Sequence, residues 1–372
     1  MVGGGPAGLA TAIHAAEKGF SVKLFDRRTP PIDKACGEGL MPIGVDELER
    51  LGIPVSGPGT STFQGVRYID GDHTVEGKFQ RGHGLGYRRT ILHSNMVERA
   101  ESNGVHCEWD TTVTGLDAHQ IETSSGSVRA RWIVGADGLH SRVRNWVELE
   151  QSTPSGRKRF GFCRRFEVTP WSRFVEVYWN DGAEAYVTPV GPKTVCVVIT
   201  TSNQRSSFNE LLKVFPKLSK RLPDTDHGTR PRGSGPMCQR TTGVVRDHVA
   251  LVGDAAGYRD SITGEGLSLA FQQGRQLVEA LEQRELGKYQ TQWRRIARWP
   301  FLMTEFVLAI QRRPKLRRRI IRGLSSRPSL FSGLIELSQG RWFPRWRDLW
   351  DGGVVASGVI TSLLEDSLKK IG

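Results

Sequence analysis

The 372-residue sequence predicts an α/β fold in which a parallel-sheet domain is interleaved with an antiparallel-sheet domain and followed by a basic helical C-terminal region. Three observations predict it. A glycine turn at the start leads into a helical stretch and then a short β-prone segment. The same strand-then-glycine pattern returns near residues 131–138 and 249–254. Between about 157 and 201 the hydrophobic period is two, the mark of an antiparallel sheet.

Met1 to Gly8 read as a glycine-rich turn, and Leu9, Ala12, Ile13 and Ala16 then fall on one helical face. After Gly19, Ser21 to Asp26 form a short strand ending in an acid. Only Met1 and Val2 precede Gly3, whereas a central strand commonly uses about five residues, so the first strand is expected to be clipped or to start upstream. Residues 61–85 read as irregular strands and turns, with a helix from about Ile91 to Ser102. Arg131 to Val134 is a buried strand running into Gly135-Ala136-Asp137-Gly138.

Arg173–Trp179, Ala183–Pro189 and Thr194–Thr201 are the antiparallel strands, divided by Asp181-Gly182 and Gly191-Pro192. Val249–Val252 ends at Gly253-Asp254, and a helix begins near Leu267 with Ala270, Phe271, Gly274 and Leu277 on its inner stripe. From Arg284 onward the chain is helical and basic, with breaks expected at Pro300, Pro314, Pro328 and Pro344 and a closing helix over Val354–Leu368. No internal repeat is visible.

Hydrophobic residues at 38% and charged residues at 24% exclude a disordered chain. The five cysteines are odd in number and never spaced as a metal or redox pair, which fits a reducing, cytoplasmic setting. No apolar run reaches membrane-spanning length, and the start lacks the basic segment of a signal peptide. No metal site is expected, because no His/Cys cluster has ligand spacing. His83, His93 and His140 are most economically surface or turn residues.

Net charge is +13, and the segment Arg284–Arg347 alone holds sixteen Lys or Arg against three Glu. Peripheral contact with an anionic membrane through residues 284–347 is one reading of that block; a solvated helical surface is the other. Nucleic-acid binding is not expected, since no reader motif accompanies the charge.

Gly3, Gly5 and Gly8 match GxGxxG: the first permits a tight turn, the second lets backbone approach a pyrophosphate, and the third lets helix pack on strand. Pro6 and Ala7 open the helix whose N-terminus would face the phosphates. Asp26, eighteen residues beyond Gly8, is placed to accept from an adenosine ribose, with Arg27 beside it. A glycine-rich turn with a surface aspartate is the alternative for this motif alone.

The glycine motif, Gly135-Ala136-Asp137-Gly138-Leu139-His140-Ser141-Arg142-Val143-Arg144, and Gly253-Asp254-Ala255-Ala256-Gly257 occur in that order. In order and spacing the chain resembles the FAD-dependent superfamily of para-hydroxybenzoate-hydroxylase-like monooxygenases and geranylgeranyl reductases, from residue 1 to about 285. The resemblance implies a Rossmann-like FAD-binding domain from segments 1–60, 86–155 and 240–285. It leaves 61–85 and 156–239 as the substrate domain and 286–372 as the basic helical region.

It also implies that Asp254 bonds the ribityl chain and that Gly264, Glu265 and Gly266 bring backbone to the flavin pyrimidine edge. Asp137 and Gly138 would serve both FAD and an NAD(P)H donor. Arg89 would lie beneath the cofactor, with a surface salt bridge as its alternative.

Cys36-Gly37-Glu38-Gly39 resembles the cysteine loop of geranylgeranyl-reductase-like members. Cys36 reads as a small wall residue or a proton donor, and Glu38 is an open acid–base candidate. Tyr186-Val187-Thr188-Pro189 sits where such reductases carry an aromatic-rich strand; Thr188 and the missing second aromatic depart from that pattern, which weighs against isoprenoid reduction. The halogenase Trp-x-Trp-x-Ile-Pro signature is absent.

The first expectation is therefore an NAD(P)H-dependent monooxygenase acting on an apolar, aromatic or polyketide-like small molecule. The alternatives are a reductase of an isoprenoid or lipid double bond, and a flavin-binding or lipid-escort protein without turnover. The cofactor carries the hard chemistry in the first two, so no catalytic side chain is required.

Overall fold

The computed structural model describes residues 1–152, 158–223 and 229–341. The expected Val354–Leu368 helix and the expected break at Pro344 lie outside the described residues.

A parallel sheet forms the first layer. Lys23–Phe25 pairs with His106–Glu108, Ile133–Gly135 pairs with Val249–Leu251, and Val2 bridges the two halves through Phe25 and Gly135. Val2 thus holds the central place through main-chain bonds on both sides: Val2 N donates to Val134 O at 2.8 Å and Gly3 N to Phe25 O at 2.8 Å. Val245–Arg246 adds an antiparallel edge.

Helices Pro6–Glu17, Arg89–Ser102 and Gly266–Glu282 share a core on this sheet with Leu9, Ile13, Leu24, Leu92 and Phe271, all fully buried. Gly274 lets two of them touch, because a Cβ there would stand 2.7 Å from Thr11 Oγ1.

The second layer is a seven-stranded sheet ordered Arg232–Ser234, Phe160–Phe166, Thr194–Thr201, Ala183–Gly191, Val175–Asn180, Gly65–Asp70 and His73–Lys78. Every pair in it is antiparallel except Val175–Asn180 with Gly65–Asp70. Side chains alternate across it. Phe166, Tyr178, Val187, Val197 and Ile199 pack on the helix Phe208–Lys213, while Val177, Trp179, Tyr186 and Val198 face the other way, toward the C-terminal helices. Because both faces are covered, every residue of Ala183–Gly191 is buried.

The C-terminal helices are Leu286–Gln311, Pro314–Ser325 and Pro328–Ser338. Pro314 and Pro328 occupy first-turn positions, where the missing N–H costs nothing. Pro300 does not break its helix, contrary to expectation: it is buried within Leu286–Gln311, and Thr304 Oγ1 donates to its carbonyl at 2.8 Å. Packing of Leu302, Met303, Phe306 and Val307 holds the helix through the lost backbone bond. A further antiparallel ribbon, Val113–Asp117, Gln120–Thr123 and Gly126–Arg129, has no counterpart in the sequence reading. Among the described residues no helix is long and apolar enough to cross a membrane.

Candidate functional site

The glycine turn is shaped by three different constraints. Gly3 has φ +109°, and a Cβ on it would lie 2.4 Å from Ala136 O. A Cβ on Gly8 would lie 2.0 Å from Gly3 O, so helix and strand pack backbone to backbone. A Cβ on Gly5 would meet nothing within 4 Å. The N-terminus of Pro6–Glu17, with Pro6 in its first turn and Ala7 behind it, therefore opens onto empty space suited to an anion. His93 pins the turn from below, contrary to its expected surface place. It is fully buried, its Nδ1 accepts from Ile32 N at 3.4 Å, and its Nε2 then donates to Gly4 O at 2.8 Å. Burial pushes its pKa down to about 4, so it stays neutral.

Asp26 is partly exposed and oriented by two backbone amides, Gly4 N at 2.8 Å and Arg28 N at 2.9 Å. Its remaining lone pairs suit ribose hydroxyls. Arg27 is exposed. Asp137 sits at the start of helix Arg142–Trp146, accepting from Ser141 Oγ at 2.5 Å, Arg142 N at 2.7 Å and Val143 N at 3.1 Å. Its carboxylate thus braces the loop, while Gly138, at φ +84°, presents bare backbone 3.6 Å from Lys34 Nζ, measured from an ideal Cβ.

Two cations that sequence reasoning did not single out organise the groove. Lys34 is influenced by Asp26, Arg89 and Asp254 together, and burial holds its ammonium below the usual lysine range. Arg144 is 1% exposed and donates to Ala255 O and Leu139 O, both at 3.1 Å, stapling the Gly138 loop to the turn Gly253–Ala256. Arg144 lies inside a motif already quoted, but its burial is a tertiary property with no sequence signal.

Asp254 has its carboxyl pushed up by burial, against the pull of Lys34, Arg89 and Arg144. Gly253, at φ +64°, is fixed by its N–H to Gln273 Oε1 at 2.7 Å. Arg89 is buried, and its Nε has no hydrogen-bond partner. Gly264, at φ +71°, faces open space, and Gly266 begins the helix Gly266–Glu282. Glu265 is buried, its carboxyl pushed up to about 8 and 3.2 Å from Ser338 Oγ in the last described helix.

Cys36 and Glu38 meet at the far side. Cys36 Sγ accepts from Glu38 N at 3.3 Å, and burial raises the thiol, which keeps it protonated. Glu38, at φ +58°, accepts from Arg89 N at 2.7 Å and from Arg165 Nε at 2.8 Å. Its Oε1 serves as an ion-pair anchor, and its Oε2 has no partner.

Next to Gly37, Gly39 and Gly264 opens a cavity of about 1240 Å³ of empty volume, part of it continuous with solvent. Its walls come from the second sheet (Val177, Trp179, Tyr186, Val198) and its roof from the C-terminal helices (Phe306, Ile321, Leu324). Thr188, the departure noted above, is one wall position in it.

The sequence pattern of the family described as FAD binding domain matches residues 1–292. A menaquinone reductase of Mycobacterium tuberculosis is 26% identical over 340 residues, covering 82% of this chain and 79% of the relative. A digeranylgeranylglycerophospholipid reductase of Methanosphaera stadtmanae is 24% identical, covering 78% of this chain and 80% of the relative. In fold, the chain is similar to a flavoprotein/dehydrogenase from Cytophaga hutchinsonii, with a TM-score of 0.78 at 17% identity over 91% of this chain and 92% of the other. It is also similar to a flavin-dependent brominase, with a TM-score of 0.81 at 17% identity over 99% and 98%. The open space at Gly5 and Gly264, the cations Lys34 and Arg89, and the acceptors Asp26 and Asp254 fit a long anionic dinucleotide.

Proposed function

The chain belongs to the FAD binding domain family and is an FAD-dependent oxidoreductase; on that premise we propose that it acts on an extended, apolar small molecule held in the cavity beside Gly264. The observation that carries this is the cavity itself, whose walls are almost wholly aliphatic and aromatic. Bound FAD supplies hydride transfer, or oxygen transfer when oxygen is admitted. The residues of the chain would bind and orient it: the Pro6 helix end and Lys34 would hold the pyrophosphate, Asp26 the ribose, and Asp254 the ribityl hydroxyls. The roof helices cover the cavity beside Gly264 with apolar side chains.

Two reactions left open by the sequence are consistent with this site, oxygenation of the substrate and reduction of a carbon–carbon double bond. Two relatives similar over most of the chain are named as reductases of menaquinone and of a geranylgeranyl lipid, and a third is named as a conditioned medium factor receptor. Oxygenation stands on the same cavity and on the likeness to hydroxylase-type members. NAD(P)H is the proposed electron source for either, with the bare backbone at Gly138 as its contact.

The FAD-loaded enzyme, incubated without oxygen with dithionite and a phytyl-chain alkene, is expected to yield the saturated product. Turnover that appears only when oxygen is admitted, and consumes it, assigns oxygenation instead. The same assay with NADH or NADPH in place of dithionite identifies the donor.

A peripheral contact with an anionic membrane completes the proposal. Helix Pro314–Ser325 turns Arg317, Ile321 and Leu324 inward and leaves Lys315, Arg318, Arg319 and Arg322 exposed, so the cations lie above the roof of an apolar cavity. Each such cation contributes about 1 kcal/mol near an anionic surface. The protein is expected to float with phosphatidylglycerol vesicles and not with phosphatidylcholine vesicles, and Lys315→Glu with Arg319→Glu should abolish flotation. Equal recovery with both vesicle types contradicts the contact.

A further inference from the structure

We propose that Thr188 is a specificity-determining residue whose hydroxyl donates to a carbonyl oxygen, so that the substrate is an apolar chain carrying a carbonyl at the end beside Gly39. This rests on the apolar-substrate reading above and narrows it to one substrate class.

Strand register places the side chain. Thr188 lies two residues beyond Tyr186 on Ala183–Gly191 and so shares its face of the sheet, the face on which Tyr186 stands between Val177 and Val198. It reaches the glycine-lined end of the cavity. A Cβ on Gly39 would stand 3.4 Å from Thr188 Cγ2 and 3.7 Å from Thr188 Oγ1, and Gly37, Gly39 and Thr188 all line the cavity. Glu38, between those glycines, accepts from Arg89 N at 2.7 Å, which joins this end to the groove that fits the dinucleotide.

The Thr188 proton is the unplaced one here. Thr188 Oγ1 has no hydrogen-bond partner among the described residues and, unlike Trp179 Nε1, it is not sealed off: the residue is 3% exposed and lines the cavity, so its hydroxyl opens onto that space. The hydroxyls around Gly264 are engaged. Thr304 Oγ1 donates to Pro300 O, so Thr263 Oγ1 donates to Thr304 Oγ1 at 2.9 Å; Ser261 Oγ donates to Met237 Sδ at 3.7 Å, and Ser338 Oγ to Ile335 O at 2.8 Å. Farther along, the Tyr186 hydroxyl stands 3.4 Å from Glu184 Oε1. Tyr68 also lines the cavity without a hydrogen-bond partner among the described residues, but it sits two strands away, against Phe331 of the roof.

A hydrocarbon packed against Thr188 would displace solvent from the hydroxyl and leave its proton without an acceptor, which is costly in an apolar surrounding. A carbonyl oxygen supplies that acceptor. The oxygen is a neutral one because Arg317 is the single charged residue among those lining the cavity, and it is already paired with Asp70 and Asp181. A carboxylate or phosphate would find no free cation in the walls.

The test is calorimetric titration of the FAD-loaded protein with farnesylacetone and with the analogue in which a methylidene group replaces its carbonyl oxygen. The ketone is expected to bind about tenfold tighter, the difference one hydrogen bond to an otherwise unpaired donor makes. Thr188→Val, which exchanges the hydroxyl for a methyl, should erase the difference by weakening the ketone alone. Thr188→Ser, which keeps the hydroxyl, should retain it, and so should Tyr68→Phe. Equal affinity of the two ligands for the unmodified protein overturns the proposal, and this comparison needs no variant to fold. A preference that survives Thr188→Val, or that disappears in Tyr68→Phe, overturns it as well. Binding of neither ligand overturns the apolar-substrate reading beneath it, and the role of Thr188 falls with it.

Discussion

Gly5→Leu is expected to leave the fold intact and to cost about 100-fold or more in FAD affinity. The glycine has φ −74° and ψ 177°, a conformation open to any residue, and no atom lies within 4 Å of where its Cβ would stand. A leucine there meets no protein atom at its Cβ and enters the space in front of the helix N-terminus, the place proposed for the pyrophosphate. Far-UV circular dichroism and thermal unfolding of FAD-free protein should match the unsubstituted chain, while flavin fluorescence titration reports the lost affinity. Gly8→Ala is the contrast: its Cβ would sit 2.0 Å from Gly3 O, so it should lower stability itself, by about 1–3 kcal/mol. Retained FAD affinity in Gly5→Leu would place the dinucleotide elsewhere.

Glu265→Gln is expected to stabilise the protein by about 3 kcal/mol at pH 7 and to have little effect near pH 4.5. Burial raises the Glu265 carboxyl to about 8 in the folded chain, so the folded state keeps a proton that the unfolded state releases near the ordinary glutamate value. Stability from this group is complete below about pH 4.5 and is lost as pH climbs toward 8. Glutamine keeps the shape and removes the titration. Urea midpoints measured from pH 4.5 to 8.5 should therefore diverge between the two proteins as pH rises; parallel curves would mean that Glu265 is ionised in the folded state. Above pH 8 the new charge is buried beside Arg341, which attracts it, and Glu336, which repels it.

What the sequence reveals here is what backbone alone performs. Gly3, Gly5 and Gly8 act within one turn: the structure shows the tight turn at Gly3 and the backbone packing at Gly8 that their spacing implies, and open space at Gly5. The hairpins at Asp181-Gly182 and Gly191 were legible for the same reason: turn chemistry is local.

Lys34, Arg144 and His93 were not legible, because each acts on a segment distant in the chain: Lys34 on Asp254, Arg144 on Ala255, His93 on Gly4. Burial of a charged or imidazole side chain depends on what folds over it, and no period encodes that. The ribbon Val113–Arg129 escaped notice because its strands are short, largely solvated and rich in polar residues, so alternation is weak. Pro300 misled in the opposite sense, since a local rule yielded to packing along a helix 26 residues long.

The ion pair at Glu184 combines both cases: its strand was recognised, but the Arg159 partner comes from the segment just before another strand, and the pairing exists only in three dimensions.

The central claim is that glycine-exposed main chain, two cations and two aspartates from separate parts of the polypeptide hold one FAD. Equilibrium titration of the FAD-free protein with FAD, followed by quenching of flavin fluorescence, measures it directly. Saturation at one FAD per chain is the expected result; a titration showing no saturable binding would contradict the account.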